Sequence, residues 1–204
     1  MPLFVKICGL CRADDVKAVV DCGPDAIGFV FWPRSPRAVT PATAAALAAA
    51  VPPGIERVGV FVDPPETLVR EAVAAAGLTV VQLHGVESPE FCRRLGLRSW
   101  KAMPASAAAA DAAGYGAEAV VLDSGTADAP GGTGVVGDWD RAAEFAQACP
   151  VPVVLAGGLT PDNVATAVGR VRPWGVDVSS GVESSPGRKD PIRVREFMAR
   201  CRAA

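Results

Sequence analysis

The chain alternates between short apolar segments and longer segments with helical spacing. The apolar segments are four to six residues long and rich in Val, Ile, Leu and Phe, which is typical of buried parallel strands. The segments between them begin or end at Pro, Gly or a hydroxyl-bearing cap residue, as helices do. We predict strands over residues 3–8, 26–31, 57–62, 79–83, 99–102, 119–122, 151–155 and 175–178. We predict helices over about 12–21, 40–51, 65–76, 88–96, 105–113, 139–148, 160–168 and 191–201.

Eight strand–helix units at a spacing of roughly 25 residues indicate a parallel sheet built from right-handed crossovers. We therefore expect the whole chain, 1–204, to form one (β/α)₈ barrel domain, at the small end of the usual range of about 200–400 residues for this fold. A doubly wound open sheet is the alternative. Its first turn should carry Gly-x-Gly-x-x-Gly, and residues 6–11 do not.

Composition narrows the class of protein. Half of the 204 residues are hydrophobic and the net charge is −2, which suits a globular domain with a substantial core. This charge balance offers nothing to attract nucleic acid or an anionic membrane. No apolar run is long enough to span a bilayer, and the start lacks the pattern of a secretory signal. We expect a cytoplasmic protein whose six cysteines are reduced, and a single histidine beside them does not favour a zinc site.

Chemistry-bearing residues concentrate at the ends of the predicted strands, where barrels of this type carry their sites. The set comprises Lys6, Cys8, Arg34, Arg37, Asp63, Gln82, His84, Lys101, Asp123 and Asp177. Two of these, Asp63 and Lys101, are expected to be charges on the barrel rim. The strand bodies are apolar, so the pattern predicts a functional mouth above an inert barrel.

The first strand places Phe4, Lys6 and Cys8 on its inward face because side chains alternate along a strand. Cys8 taken alone would be a buried structural cysteine, as most free cysteines are. Strand parity also puts Asp177 on the inward face of the eighth strand, next to the first in a closed barrel. Since an isolated inward charge is costly, we predict an ion pair between Lys6 and Asp177.

Two glycine-bearing loops predict a phosphate site. Gly157-Gly158 follows the seventh strand and Ser180-Gly181 follows the eighth, and these loops form the usual phosphate site of the barrel. Glycines let backbone N–H groups approach the oxygens, and a short helix after Gly181 would point its N-terminus at the charge. A single Gly-Gly ordinarily makes only a tight turn, but two such loops on the right pair of strands are much more specific.

Seven motifs in order resemble the phosphoribosylanthranilate isomerase family over essentially the whole chain. They are the segments 6–9, 28–31 with 35–37, 82–85, 122–124, 131–134, 155–159 and 177–183. Each motif is weak alone, but their shared order on successive strand ends is specific. Cys11 departs from the family, which often has Thr there, and we expect it to be structural.

The resemblance implies a cofactor-independent Amadori rearrangement of N-(5-phosphoribosyl)anthranilate, a small phosphosugar, in tryptophan biosynthesis. It further implies Cys8 as the general base, Asp123 as the general acid and Arg37 as the ligand of the anthranilate carboxylate. No metal or cofactor is expected, and monomer and homodimer both remain open. His84 either touches the substrate or supports a residue that does.

The chemistry sets conditions on these groups. One acid and one base on opposite sides of a bound sugar suffice for the rearrangement. Asp123 must hold a proton near neutral pH, so its pKa should be raised, whereas Cys8 should be biased toward thiolate by positive charge, with Lys6 as the candidate. The plainer alternatives are that Asp123 caps a turn or helix and that Arg37 is a solvated loop charge.

Two other functions are compatible with the barrel. One is another phosphosugar isomerase, such as the histidine-pathway type, but such a relative is expected to carry an acidic base at the first strand end, where this chain has Cys8. The other is a non-catalytic phosphosugar-binding barrel, which would have no need to keep both Cys8 and Asp123.

Overall fold

Eight parallel strands close into a barrel in sequence order in the computed structural model, which describes residues 2–123 and 138–204. The first strand pairs with the second on one side and with the eighth on the other. The predicted barrel is therefore confirmed, and the open doubly wound sheet is wrong because its edge strands would remain unpaired. The glycine-rich motif at 131–134 lies outside the described residues.

The strands lie within a few residues of the predicted segments and are buried along most of their length, as expected of a parallel sheet covered by helices. They are β1 (Phe4–Ile7), β2 (Ala26–Val30), β3 (Glu56–Phe61), β4 (Val80–Leu83), β5 (Ser99–Pro104), β6 (Ala119–Asp123), β7 (Val153–Leu155) and β8 (Gly175–Val178).

Seven α-helices are seen in the described residues, and local sequence explains where several begin and end. They are α1 (Ala13–Val20), α2 (Pro41–Ala48), α3 (Glu66–Ala76), α4 (Pro89–Leu95), α5 (Trp139–Ala148), α6 (Val164–Val171) and α7 (Pro191–Ala203). The hydroxyls of Thr40 and Ser88 accept from backbone N–H groups in the first turns of α2 and α4. Gly77 and Gly96 adopt the left-handed conformation that ends α3 and α4. None of the helices in the described ranges is long and apolar enough to cross a membrane.

The predicted fifth helix, 105–113, is instead a 3₁₀ helix over Ala109–Tyr115 that ends at Gly116. Strand β5 runs two residues further than predicted, to Pro104. A turn follows it, closed by a hydrogen bond from the Ala107 N–H to the Pro104 carbonyl. Short 3₁₀ helices are common connectors between longer elements.

The segments after β7 and β8 also differ from the prediction. Helix α6 begins at Val164 rather than at 160, because the Asn163 side chain accepts from the Thr160 N–H and donates to the Gly158 carbonyl, forming a turn first. A single 3₁₀ turn over Ser180–Val182 follows β8 and includes Gly181 rather than starting after it. A small hairpin then forms from β9 (Glu183–Ser185) and β10 (Arg188–Lys189), which the sequence analysis did not predict.

The barrel interior is apolar at the end where the strands begin. Phe4 stacks on Trp174 with 4.4 Å between ring centroids, and Trp100 packs edge-on against both. Small and branched residues fill the interior above them: Ala26, Val58, Val80, Ala119, Val121, Val154 and Ala156. Polar groups are thereby confined to the other end, where the strands terminate.

Candidate active site

A cavity opens at the carboxyl ends of the strands, and every residue with a predicted catalytic or binding role lines it. These residues are Cys8, Arg37, His84, Asp123, Gly157, Gly158, Ser180 and Gly181. They come from the segments that follow β1, β2, β4, β7 and β8, and from the last position of β6. Gln82 and Asp177 also line the cavity. The structure thus brings together the eight residues for which a catalytic or binding role was predicted, whereas Lys6, Arg34, Asp63 and Lys101 do not line this cavity.

The predicted ion pair between Lys6 and Asp177 is confirmed. The two residues lie directly opposite each other in the β1–β8 pairing, and Lys6 Nζ is 2.6 Å from Asp177 Oδ2. Burial alone would lower the pKa of Lys6, but the charges of Asp177 and Cys8 more than offset it and the net pKa is raised. Lys6 is therefore an ammonium at neutral pH although its side chain is completely buried.

Cys8 follows β1 directly and its pKa is raised, so the expected net bias toward thiolate is wrong. Burial raises the pKa of the thiol most strongly, and the positive charges of Lys6 and Lys189 oppose that rise without cancelling it. Gly28 on β2 provides the space for this arrangement, since a Cβ there would lie 2.7 Å from Cys8 Sγ and 3.2 Å from Lys6 Cε.

Asp123 and His84 contact each other across the cavity wall. His84 Nε2 lies 3.0 Å from Asp123 Oδ2, and His84 Nδ1 lies 3.0 Å from the amide nitrogen of Gln82. Of the two roles considered for His84, the structure thus shows contact with the candidate acid. The N-cap of the following helix α5 is Asp138, so Asp123 does not cap that helix.

The loop that carries His84 is braced by an ion pair that the sequence analysis missed. Lys101 is buried rather than a rim charge, and its ammonium contacts Glu87 at 2.9 Å and the carbonyl of Gly85 at 2.7 Å. Glu87 in turn accepts from the backbone N–H groups of Gly85 and Asp63. No periodic pattern marks Glu87, because it lies in a loop and its partner lies on the next strand.

Arg37 is clamped by a second carboxylate that the sequence analysis gave no role. Arg37 Nε and Nη2 each donate to Glu183 at 2.7 Å, which raises the pKa of Arg37. Burial would raise the pKa of Glu183, but Arg37 and Lys189 outweigh it and the pKa is lowered. Lys189 also donates to the Ser179 carbonyl, tying the clamp to the end of β8. The solvated-loop interpretation of Arg37 is therefore wrong.

The two glycine loops press against each other beside the cavity. Gly157 and Gly158 have backbone φ angles of +86° and +63°, which residues other than glycine rarely adopt. A Cβ on Gly181 would lie 1.8 Å from the carbonyl oxygen of Leu159, so only glycine fits there. The Asn163 side chain holds this loop by donating a hydrogen bond to the Gly158 carbonyl, a contact that no sequence signal revealed. Within the described part of the chain, no cluster of His, Cys, Asp and Glu has the arrangement of a metal site.

A family model described as N-(5′-phosphoribosyl)anthranilate (PRA) isomerase matches residues 5–200. A relative from Pelobacter propionicus named N-(5′-phosphoribosyl)anthranilate isomerase is 45% identical over 196 residues, covering 95% of this chain and 93% of its own. A relative of the same name from Geobacter sulfurreducens is 47% identical over 200 residues, covering 97% and 98%.

Solved structures agree with these sequence relatives. Phosphoribosyl anthranilate isomerase from Thermus thermophilus superposes with a TM-score of 0.87 at 36% identity, covering 98% of each chain. A phosphoribosyl anthranilate isomerase in complex with reduced 1-(o-carboxyphenylamino)-1-deoxyribulose 5-phosphate has a TM-score of 0.85 at 33% identity, covering 99% of this chain and 100% of its own. Monomers generated from the dimeric Thermotoga maritima enzyme have a TM-score of 0.86 at 35% identity, with coverage of 99% and 100%.

The Glu183 clamp predicts a pH-dependent contribution to stability. The pKa of Glu183 is lowered in the folded chain from its usual 4.5, so its contribution is complete above that value and is lost as the pH falls through the folded pKa. Replacing it by Gln breaks a buried ion pair, so Glu183→Gln should reduce the free energy of unfolding by about 3 kcal/mol or more at pH 7. Urea denaturation at pH 7, 5, 4 and 3 should show this difference shrinking below about pH 4.5.

Glu118→Gln is the matched control, because Glu118 pairs with Arg98 on the exposed surface and should contribute only about 0–1 kcal/mol. A difference between wild type and Glu183→Gln that stays constant across this pH range would show that the carboxylate charge contributes nothing to stability.

Proposed function

The chain belongs to the N-(5′-phosphoribosyl)anthranilate isomerase family, whose members are enzymes of tryptophan biosynthesis, and from this premise we propose that Cys8 is the general base of the reaction and Asp123 the general acid. The substrate would be N-(5′-phosphoribosyl)anthranilate and the product 1-(2-carboxyphenylamino)-1-deoxyribulose 5-phosphate. The observation that supports the assignment most strongly is that a thiol from β1 and a carboxyl from β6 line one cavity with both glycine loops.

The proposed reaction needs two proton transfers at defined atoms. Asp123 gives its proton to the ring oxygen of the furanose as the bond from that oxygen to C1′ breaks, and the nitrogen lone pair forms a C1′=N iminium. The Cys8 thiolate then removes the proton from C2′. The C–H electrons form the C1′=C2′ bond while the electrons of the C1′=N double bond return to nitrogen, which gives an enolamine. Loss of the hydroxyl proton at C2′ and gain of a proton at C1′ complete the ketone, so substrate and product have the same atoms.

Lys6 supports the base in this scheme. Burial leaves Cys8 protonated at rest, so a thiolate must form at some energetic cost during the reaction. The Lys6 ammonium lowers that cost because its positive charge attracts the thiolate, and its ion pair with Asp177 keeps it protonated. Lys6 thus acts through Cys8 rather than on the substrate.

The glycine loops are the proposed phosphate site. Both loops line the same cavity, and glycines in such loops let backbone N–H groups approach an anion closely. The similar protein solved with a reduced deoxyribulose 5-phosphate compound supports a sugar phosphate as the ligand of this kind of site.

Arg37 is the proposed ligand of the anthranilate carboxylate. Its guanidinium lines the cavity, and Glu183 uses two of its three nitrogens and thereby fixes its plane. A fixed guanidinium suits a planar carboxylate because little conformational entropy is lost when the two meet. Of the two alternative functions, a histidine-pathway type of isomerase is disfavoured because Cys8 stands where an acidic base is expected. A non-catalytic phosphosugar-binding protein would show no turnover of the substrate.

Cys8→Ser and Asp123→Asn should each lower kcat by about 10²- to 10⁴-fold, the usual range for losing a general base or acid, with a much smaller change in KM. Fluorescence turnover with phosphoribosylanthranilate generated in situ measures both parameters. Cys11→Ser is the matched control, since Cys11 bonds to the Gly187 carbonyl and lies outside the proposed chemistry. Wild-type turnover in Cys8→Ser would eliminate Cys8 as the base.

Arg37→Ala should raise KM by about 10- to 100-fold, because it removes a charged hydrogen bond worth about 1.5–3 kcal/mol. Arg34→Ala, an exposed arginine of the same loop, serves as the comparison and should change KM little. Equal and small effects in the two variants would remove Arg37 from the substrate site. Arg37→Lys keeps the charge but loses the planar fork, so KM should stay well above the wild-type value.

A further inference from the structure

Gln82 is a buried polar residue in a place where packing favours an apolar one. Its side chain is on the inward face of β4, two residues after Val80, and only 1% of the residue is exposed. Among the described residues its amide has one hydrogen-bond partner, His84, and its Oε1 atom has none. An unpaired buried carbonyl destabilises the folded chain, so the contact with His84 is the reason that the structure offers for an amide here.

The contact determines which nitrogen of His84 carries a proton. The amide nitrogen of Gln82 is a donor without a lone pair, so His84 Nδ1, 3.0 Å away, must accept. The ring proton is therefore on Nε2, where it donates to Asp123 Oδ2 at 3.0 Å. Turning the amide over would present Oε1 to Nδ1 but leave the NH₂ group, with two donors, in the position that has no partner, which is the costlier arrangement.

We propose that Gln82 is a positioning residue that keeps His84 neutral with its proton on Nε2, so that Asp123 can hold the proton used in catalysis. This inference rests on the proposed role of Asp123 as the general acid. A neutral His84 can donate to Asp123 Oδ2 without requiring that carboxyl to be ionised. An imidazolium in the same place would form an ion pair with Asp123 and hold it as a carboxylate, which has no proton to give.

The charges around His84 show why such a device is needed. Asp177 on β8 lies close enough to His84 and Asp123 for its charge to interact with both. Lys6 on β1, beside Cys8, offsets part of that charge through its ion pair. On the β5 side Lys101 is paired with Glu87. With carboxylates on β6 and β8 facing the ring, a hydrogen-bond donor at Nδ1 is the contact that opposes protonation.

The chain has a single histidine, so nitrogen NMR reads this tautomer directly and without resonance assignment. The experiment uses the full chain labelled with ¹⁵N-histidine and carrying no polyhistidine tag, with long-range ¹H–¹⁵N correlation spectra recorded from pH 8 to pH 5. At neutral pH the wild type should show a protonated Nε2 and an unprotonated Nδ1. An imidazolium, or a proton on Nδ1, in the wild type at neutral pH would overturn the proposal.

Two substitutions test the role of Gln82 itself. Gln82→Met removes the donor at similar volume, so His84 should take up its second proton at a higher pH than in the wild type. Gln82→Glu replaces the donor by an acceptor, so His84 should be an imidazolium at neutral pH. Val80→Ala is the matched control on the same face of β4: it loosens the interior but leaves the spectrum unchanged. A Gln82→Met spectrum identical to that of the wild type would refute the proposal.

Kinetics connect the tautomer to the reaction. Gln82→Met should lower kcat by about 10- to 100-fold, part of the value of general acid catalysis, with KM changed far less. It should also lose activity at a higher pH than the wild type as the pH falls, in step with the NMR titration of His84. Unchanged kcat together with a changed tautomer would refute the catalytic half of the proposal.

The two proposals fail in different ways. If Asp123→Asn keeps wild-type turnover, the proposed general acid is wrong whatever the histidine spectrum shows. If Asp123→Asn is inactive but Gln82→Met leaves the spectrum and kcat unchanged, the proposed function stands and the role of Gln82 is refuted.

Discussion

The ion pair between Lys6 and Asp177 joins the two strands that close the barrel, and the candidate chemistry is arranged around it. A buried pair is tolerable only when its geometry is good, and here the pairing register of β1 with β8 places the two residues opposite each other. The same pair sets the local electrostatics, because Lys6 acts on Cys8 while Asp177 acts on Asp123 and His84. One structural contact therefore links barrel closure to the charges of the candidate base and acid.

Two further buried charge pairs hold loops in place around this centre. Lys101 and Glu87 fix the loop that carries His84, and Glu183 with Lys189 fixes Arg37. Each pair draws its partners from separate elements, so contacts within the chain itself hold these groups in place. Preorganised groups of this kind reduce the reorganisation that a reaction would otherwise require. The apolar opposite end of the barrel supplies the stable base on which these polar contacts are built.

Periodicity was enough to predict the barrel and its strands, and strand parity was enough to predict the Lys6–Asp177 pair. The family resemblance pointed to Cys8, Asp123 and Arg37, and the two glycine-bearing loops pointed to the phosphate site. All of these residues line one cavity. The loop carboxylates Glu87 and Glu183 were beyond such reasoning because their partners are distant in sequence and no repeating pattern marks them. The pKa of Cys8 was predicted in the wrong direction because the sequence shows nearby charge but not how far burial outweighs it. The helix predicted over 105–113 is a 3₁₀ helix over 109–115 because β5 runs further than its sequence pattern indicated.

The most direct test of the account is a crystal structure of this chain with reduced 1-(2-carboxyphenylamino)-1-deoxyribulose 5-phosphate. The account predicts the phosphate on the backbone N–H groups of 157–158 and 180–181. It also predicts Cys8 Sγ facing C2′ from one side and the Asp123 carboxyl within about 2.6–3.2 Å of the 4′ oxygen on the other. A sugar bound with either group turned away from it, or a phosphate held elsewhere, would contradict the account.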